Sequence, residues 1–263
     1  MTALLSGEMR KLLRQPGALF FGFFGTVFLT IAFKIGLEAI AVWRMGRIPT
    51  GSIDLYLSAA KAMSISGNTL GHLLYAIGIG TVFATEYRYA TWRLLVPRHS
   101  RLQLYGAKFL VCLIALAASL AAAGLVDMLV HLTRAALEGQ GAVVSLAASS
   151  ASRLVFAFMA AMLELAVLAA FVGLITRVFR SMMPAIILAF LLILGSSMVQ
   201  LYLGSDADAL PLPSYGAEFL RSWIVSGGSA SQAGFGAVSL LAWLALLFLA
   251  GAACFQRQQL TSE

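Results

Sequence analysis

Charge is scarce in this 263-residue chain: 11% of its residues are Asp, Glu, Lys or Arg, against 60% that are hydrophobic. That ratio excludes a water-soluble globular domain, whose surface outgrows its capacity to hide so much apolar area. Cysteine is nearly absent. Cys112 and Cys254 each lie inside an apolar run, which excludes a disulfide framework and reads as small buried side chains. No G-x-x-x-x-G-K-[ST] loop occurs, so the chain has no phosphate cradle for hydrolysing ATP. H-E-x-x-H and G-x-S-x-G are also missing, and no nucleophile stands beside a base. His72, His99 and His131 are scattered. Asp127, four residues before His131, is too little for a metal site. The sequence therefore gives no catalytic residues, no metal ligands and no cofactor bound by this chain.

What is abundant is long apolar sequence. A helix needs roughly 20 apolar residues to cross the hydrocarbon core of a bilayer. Runs of that kind occupy 17–40, 63–85, 109–130, 154–176, 182–203 and 235–255. Each must be helical, because irregular backbone facing lipid leaves amides unsatisfied. The expected fold is an all-α membrane protein of six transmembrane helices. It forms one transmembrane domain over 1–263, with an interfacial segment at 1–16, the bundle at 17–256 and a tail at 257–263.

The net charge of +7 is a matter of topology. Arg10, Lys11, Arg14, Arg88, Arg93, Arg98, Arg101, Lys108, Arg177, Arg180 and Arg257 fall on one side of these spans. Arg44, Arg47, Lys61, Arg134, Arg153 and Arg221 fall on the other, together with Asp54, Glu138, Asp206, Asp208 and Glu218. The positive-inside rule then makes both termini cytoplasmic, which agrees with an even number of spans. Nucleic acid is not an expected partner, because no soluble basic domain is present; the lipid bilayer is. The run after Arg14 is too long for a secretory signal and has no A-x-A cleavage site.

Three segments are not simple spans. In 1–14, Leu4, Leu5, Met9, Leu12 and Leu13 share a helical face, with Glu8, Arg10, Lys11 and Arg14 largely opposite. That pattern predicts a helix lying in the interface before Pro16 and Gly17 turn the chain into the bilayer. The segment 86–108, EYRYATWRLLVPRHSRLQLYGAK, is rich in aromatic and arginine side chains. Its first part predicts a short helix over 86–96 ended by Pro97, and Ser100 is placed to cap the next helix. Tyr87, Tyr89, Trp92, Arg93 and Arg98 suit either a protein interface or an aromatic belt. A third short amphipathic helix is expected at 215–225.

Several of these pieces, in this order, resemble the ABC-2 type permease family. Glu8-Met9-Arg10-Lys11-Leu12-Leu13-Arg14-Gln15-Pro16 resembles that family's entry to its first span. Glu86 to Leu95 resembles its E-(aromatic)-x-x-G-T-x-(R/K)-x-L element, with Ala90 in place of the usual Gly. Pro97-Arg98-His99-Ser100-Arg101 with Lys108 resembles the continuation, and Phe255-Gln256-Arg257 the exit of the last span, without its acidic residue. The resemblance implies an ABC transporter permease of a bacterial cytoplasmic (inner) membrane, with an exporter's direction. It implies that 86–96 is a cytoplasmic coupling helix, with Glu86, Tyr87, Arg88, Tyr89, Trp92, Arg93 and Arg98 as ATPase-coupling residues. It also implies a cytoplasmic ABC ATPase dimer that binds ATP and Mg, and a second permease subunit, identical or related.

Ionisable groups inside a span are functional suspects by default. Glu164 in the fourth span and His72 in the second both fall about 20 Å from the basic side. They are the candidate pathway residues, placed to pair or to share a polar cavity. Lys34 and Glu38, and Asp127 and His131, are spaced to neutralise each other on one helix. Gly67 and Gly71, and Gly22 and Gly25, suit close helix packing, either across a dimer interface or within the subunit. Two other classes stay open: a non-transporting membrane anchor for an ATPase, and an intramembrane enzyme in which Glu164, His72 and Asp127 converge.

Overall fold

The computed structural model describes residues 2–45, 53–89, 97, 99–138, 144–204 and 210–258. Its helices are α1 (Thr2–Leu13), α2 (Gly25–Met45), α3 (Leu55–Ala62), α4 (Thr69–Tyr89), α5 (Arg101–Glu138), α6 (Ala148–Phe179), α7 (Met182–Leu203), α8 (Pro213–Ser226) and α9 (Ala230–Arg257). A π-helical segment, Ala18–Phe24, leads into α2, and a 3₁₀ turn, Met63–Gly67, lies between α3 and α4. The only extended pairing among the described residues is a two-residue parallel contact, Ile53–Asp54 with Val144–Ser145.

Five helical stretches are long and apolar enough to cross a membrane: Ala18–Leu37, Arg101–Ala136, Ala148–Phe179, Met182–Leu203 and Ala230–Arg257. The first expected span thus opens as a π-helix, and the third, fourth and sixth run past the expected boundaries. α5, with 38 residues, is about 57 Å long at a 1.5 Å rise.

The second expected span begins at Thr69, not Met63. Asn68 has extended backbone, and its side-chain oxygen accepts from the Leu70 amide at 2.9 Å, so it caps α4. α4 is long enough to span, at 21 residues, but carries His72, Glu86 and Arg88. Its position explains that tolerance. The π segment, α6 and α7 all pack on it, and Tyr75, Ile79 and Phe83 are fully buried. Its side chains are largely enclosed by those neighbours. At the crossing with the first span, a Cβ on Gly22 would stand 2.3 Å from the Gly78 Cα. Only glycine permits that approach.

A hydroxyl cluster ties three helices beside that crossing. Thr26, Tyr75 and Ser119 lie within 3.0–3.1 Å of one another, and the Thr26 and Ser119 hydroxyls both donate to the Phe23 carbonyl. Cys112 is buried, but Cys254 is exposed, so only the first is a core side chain.

α1 corrects one expectation. Its buried residues are Leu4, Glu8 and Leu12, while Leu13 is 60% exposed. Glu8 lies on the packed face because a buried lysine waits there for it. α8 confirms the expected short helix, with Tyr215, Ala217, Phe219 and Ile224 buried where it packs on α6 and α9.

Candidate functional site

Glu164 sits in the middle of α6 with 4% of its surface exposed. Three other elements supply its neighbours. Ser66, from the 3₁₀ turn, donates to Glu164 Oε2 at 2.8 Å. His72, from the first turns of α4, brings Nε2 to 3.5 Å from Glu164 Oε1. Arg221, from α8, makes an ion pair with Glu164 Oε2 and reaches Glu218 at 3.1 Å with its other terminal nitrogen. Burial alone would lower the Arg221 pKa; the Glu164 carboxylate outweighs it, and the guanidinium is held above its ordinary value. Gly67 makes the approach possible, since a Cβ there would lie 2.3 Å from both Arg221 terminal nitrogens. Gly71 likewise faces the Ile65 carbonyl.

Two chambers meet at this pair. One, of about 220 Å³, is walled by apolar side chains that include Val167, Leu168, Phe171, Ile193 and Trp243. The other, of about 200 Å³, is walled by Ser196, Ser197, Gln200, Ser214, Glu218 and Arg221. His72 and Glu164 border both. The sequence raised pairing and a shared cavity as alternatives for these two residues; the geometry gives both. His72 Nε2 faces Glu164, and the buried Nδ1 has no hydrogen-bond partner among the described residues.

Asp127 keeps the expected approach to His131 on its own helix, and both also meet Lys34. Lys34 makes its ion pair across helices, with Asp127 of α5, and lies 2.6 Å from His131 Nε2. Ser58 of α3 donates to Asp127 Oδ2 at 2.7 Å and joins His131 at 2.7 Å. His131 and Asp127 are themselves 4.0 Å apart. The Glu38 side chain lies outside the described residues. His72, Glu164 and Asp127 form no single centre, and no three potential metal ligands converge among the described residues.

The other end of the bundle carries the basic residues. Lys108 of α5 is buried between Glu8 and Glu86: it donates to Glu8 at 2.9 Å and to the Val82 carbonyl at 2.8 Å, and ion-pairs with Glu86. Lys11 bridges the same two acids, at 2.5 Å and 3.1 Å. Burial by itself raises the Glu8 pKa, but the Lys108 and Lys11 ammonium groups outweigh it and hold the carboxyl below its ordinary value. Burial works against the Lys11 charge too, and Glu8 and Glu86 together raise its pKa. Arg10 and Arg14 stay exposed.

Two residues beyond the fully buried Glu86, the chain surfaces. Arg88 and Tyr89 are exposed, with the guanidinium 5.7 Å from the ring centroid. Tyr87 stays partly buried and donates to Gln258 Oε1 at 2.9 Å. Trp92, Arg93 and Arg98, and with them most of the expected 86–96 helix, lie outside the described residues. Ser100 caps α5: its hydroxyl accepts from the Gln103 amide at 3.3 Å, while the Gln103 side chain accepts from the Ser100 amide at 3.2 Å. Arg101 donates to the Phe255, Gln256 and Gln258 carbonyls at 3.1, 2.8 and 2.7 Å, closing the C-terminal end of α9.

Arg221, Lys108 and Arg177 carry roles that charge counting did not assign. Arg177 is 2% exposed, with its guanidinium 3.9 Å from the Tyr105 ring centroid and 4.1 Å from that of Phe255. Arg221 is the sole cation of α8, but nothing in the sequence signals that this short helix carries it to a buried acid.

The comparisons with known proteins bear on this geometry. No curated protein matches the chain. The model of a family described as ABC-2 family transporter protein matches residues 4–196, from α1 into α7. That match takes in Glu8, Glu86, Lys108 and Glu164 and covers well over half of the sequence. The chain is a multi-pass membrane protein that belongs to the ABC-2 transporter family, as a permease subunit.

Proposed function

We propose that this permease has six spans, α4 being the sixth crossing, with both termini cytoplasmic, and that it works as an exporter in a bacterial inner membrane. A separate cytoplasmic ABC ATPase dimer binds ATP and Mg and docks on the segment between α4 and α5. A second permease subunit, a copy or a relative, completes the transporter. The observation that carries the reading is the contrast within one turn of α4: Arg88 and Tyr89 are exposed, while Glu86 is fully buried and clamped by Lys108. A force on the exposed residues is delivered through Glu86 to α5 and α1. Tyr87, Arg88, Tyr89, Trp92, Arg93 and Arg98 are then the docking surface, and Glu86 anchors it. Glu164 and His72 border the pathway.

The test is co-expression with any ABC ATPase found encoded beside this chain, co-purification and ATP-driven flux in proteoliposomes. Co-purification with flux supports the reading. Co-purification without flux of any amphipathic or polar probe favours a non-transporting anchor, and absence of any ATPase partner overturns the docking. An accessible label at Arg10 or Arg88 from the extracytoplasmic side overturns the topology.

A further inference from the structure

We infer that the paired chambers at His72 are a binding site for a single-tailed amphipath whose head offers hydrogen bonds and bears no negative charge. The apolar chamber holds the tail against Val167, Leu168, Phe171 and Trp243. At about 220 Å³ it has room for roughly seven groups the size of a water molecule, each about 30 Å³. The polar chamber, about 200 Å³, receives the head. The change of wall occurs at His72, which is 6% exposed; its Nε2 faces Glu164 Oε1 at 3.5 Å, and its Nδ1 has no hydrogen-bond partner among the described residues. A buried nitrogen in that state is costly, and a ligand hydroxyl or amide removes the cost. The charges near the head are two carboxylates, Glu164 and Glu218, against one guanidinium, Arg221, so an anionic head is disfavoured. Leu192 lines the apolar chamber and is 40% exposed, so one wall of the chamber reaches the protein surface at α7. Such a ligand can arrive from the bilayer or from water.

The inference rests on the permease reading where it calls this ligand a substrate, but its test needs neither ATP nor a partner. The full chain in lipid nanodiscs is irradiated with a diazirine-bearing monoacylglycerol, supplied either within the bilayer or from the aqueous phase. The expected cross-links fall on 167–171 and 243–247 in the unsubstituted protein. His72→Phe should lower labelling by this probe about tenfold while leaving a headless diazirine alkane within about twofold. Ala189→Leu, which fills the apolar chamber, should lower both, and a diazirine fatty acid should label at least about fivefold less than the monoacylglycerol. Labelling only from the bilayer assigns a lateral source, and labelling from both phases assigns an aqueous one as well. Cross-links spread over outward residues such as Ile187 and Leu191, with no excess at 167–171, overturn the inference. So does a His72→Phe protein that labels normally. Normal labelling in a chain that supports no flux would leave the site standing and remove only the transport reading.

Discussion

Lys108 donates to Glu8 at 2.9 Å across 100 residues of sequence, with the lysine 1% and the glutamate 5% exposed. A second buried acid, Glu86, shares the same ammonium. One cation thus fastens α1, the last turns of α4 and the start of α5 to one another. Lys11, half outside, completes a neutral four-charge cluster.

Removing the central cation should be severe. Lys108→Met leaves two buried carboxylates facing the single, more exposed Lys11, and a broken buried pair costs about 3–5 kcal/mol. Thermal unfolding in detergent should show the loss, and adding Glu86→Gln should recover part of it. A stability equal to that of the unsubstituted chain would refute the clamp.

The same cluster sets a pH window for α1. The folded-state pKa of Glu8 lies below its ordinary 4.5, so its contribution is complete above that value and is lost as pH falls through the lower folded value. That of Lys11 lies above 10.5, so its contribution is complete below that value and is lost as pH rises through the folded one. Hydrogen exchange at the α1 amides should stay slow between the two limits and accelerate outside them. Glu8→Gln should abolish the acid limb.

Glu164 and Arg221 should behave as one unit. Glu164→Gln leaves the Arg221 guanidinium with the more exposed Glu218 alone, and under the proposed pathway role ATP-driven flux should fall about tenfold, equivalent to about 1.4 kcal/mol in the barrier. The double variant Glu164→Gln with Arg221→Gln should unfold at a higher temperature than the sum of the single losses predicts, with a coupling of about 1–3 kcal/mol. Strict additivity would mean that the two do not interact.

Tyr89→Ala combined with Trp92→Ala should uncouple or dissociate the ATPase while membrane insertion is retained, read by co-purification and by flux. Tyr89 is 63% exposed, so its share of this loss does not come from a damaged core. Full ATPase retention would count against the docking role.

Gly22→Leu should separate the first span from α4. The backbones there leave no room for even a methyl group, and overpacking of this kind typically costs about 1–3 kcal/mol. Gly36→Leu, where a Cβ meets nothing within 4 Å, is the control and should be neutral.

Much of the architecture was legible because lipid imposes a simple rule on composition. The stretch 182–203, apolar on every side, has the same limits in sequence and structure, as expected of a helix with few protein neighbours. α4 was harder: buried inside the bundle, it tolerates His72 and Glu86, and a cap at Asn68 shortens it from a boundary that hydropathy could not see. The common depth of Glu164 and His72 followed from helical rise alone; whether they pair or share a cavity did not. Their third partner, Arg221, did not, because α8 packs into the bundle from a loop whose depth no periodicity encodes. Glu8 was put on the wrong face of α1 for the same reason: a charged residue reads as solvent-facing unless the buried counter-ion is known.

α5 runs without a break from Arg101 to Glu138. Near its start it holds the carbonyl end of α9 and the acids of α1 and α4; farther on, it holds Lys34 and Ser58 through Asp127. Those attachments are 26 residues apart, about 39 Å of rigid strut. With no joint between them, an ångström of tilt imposed beside Arg101 must reappear at Asp127, so the opposite rims of this protein are mechanically one part.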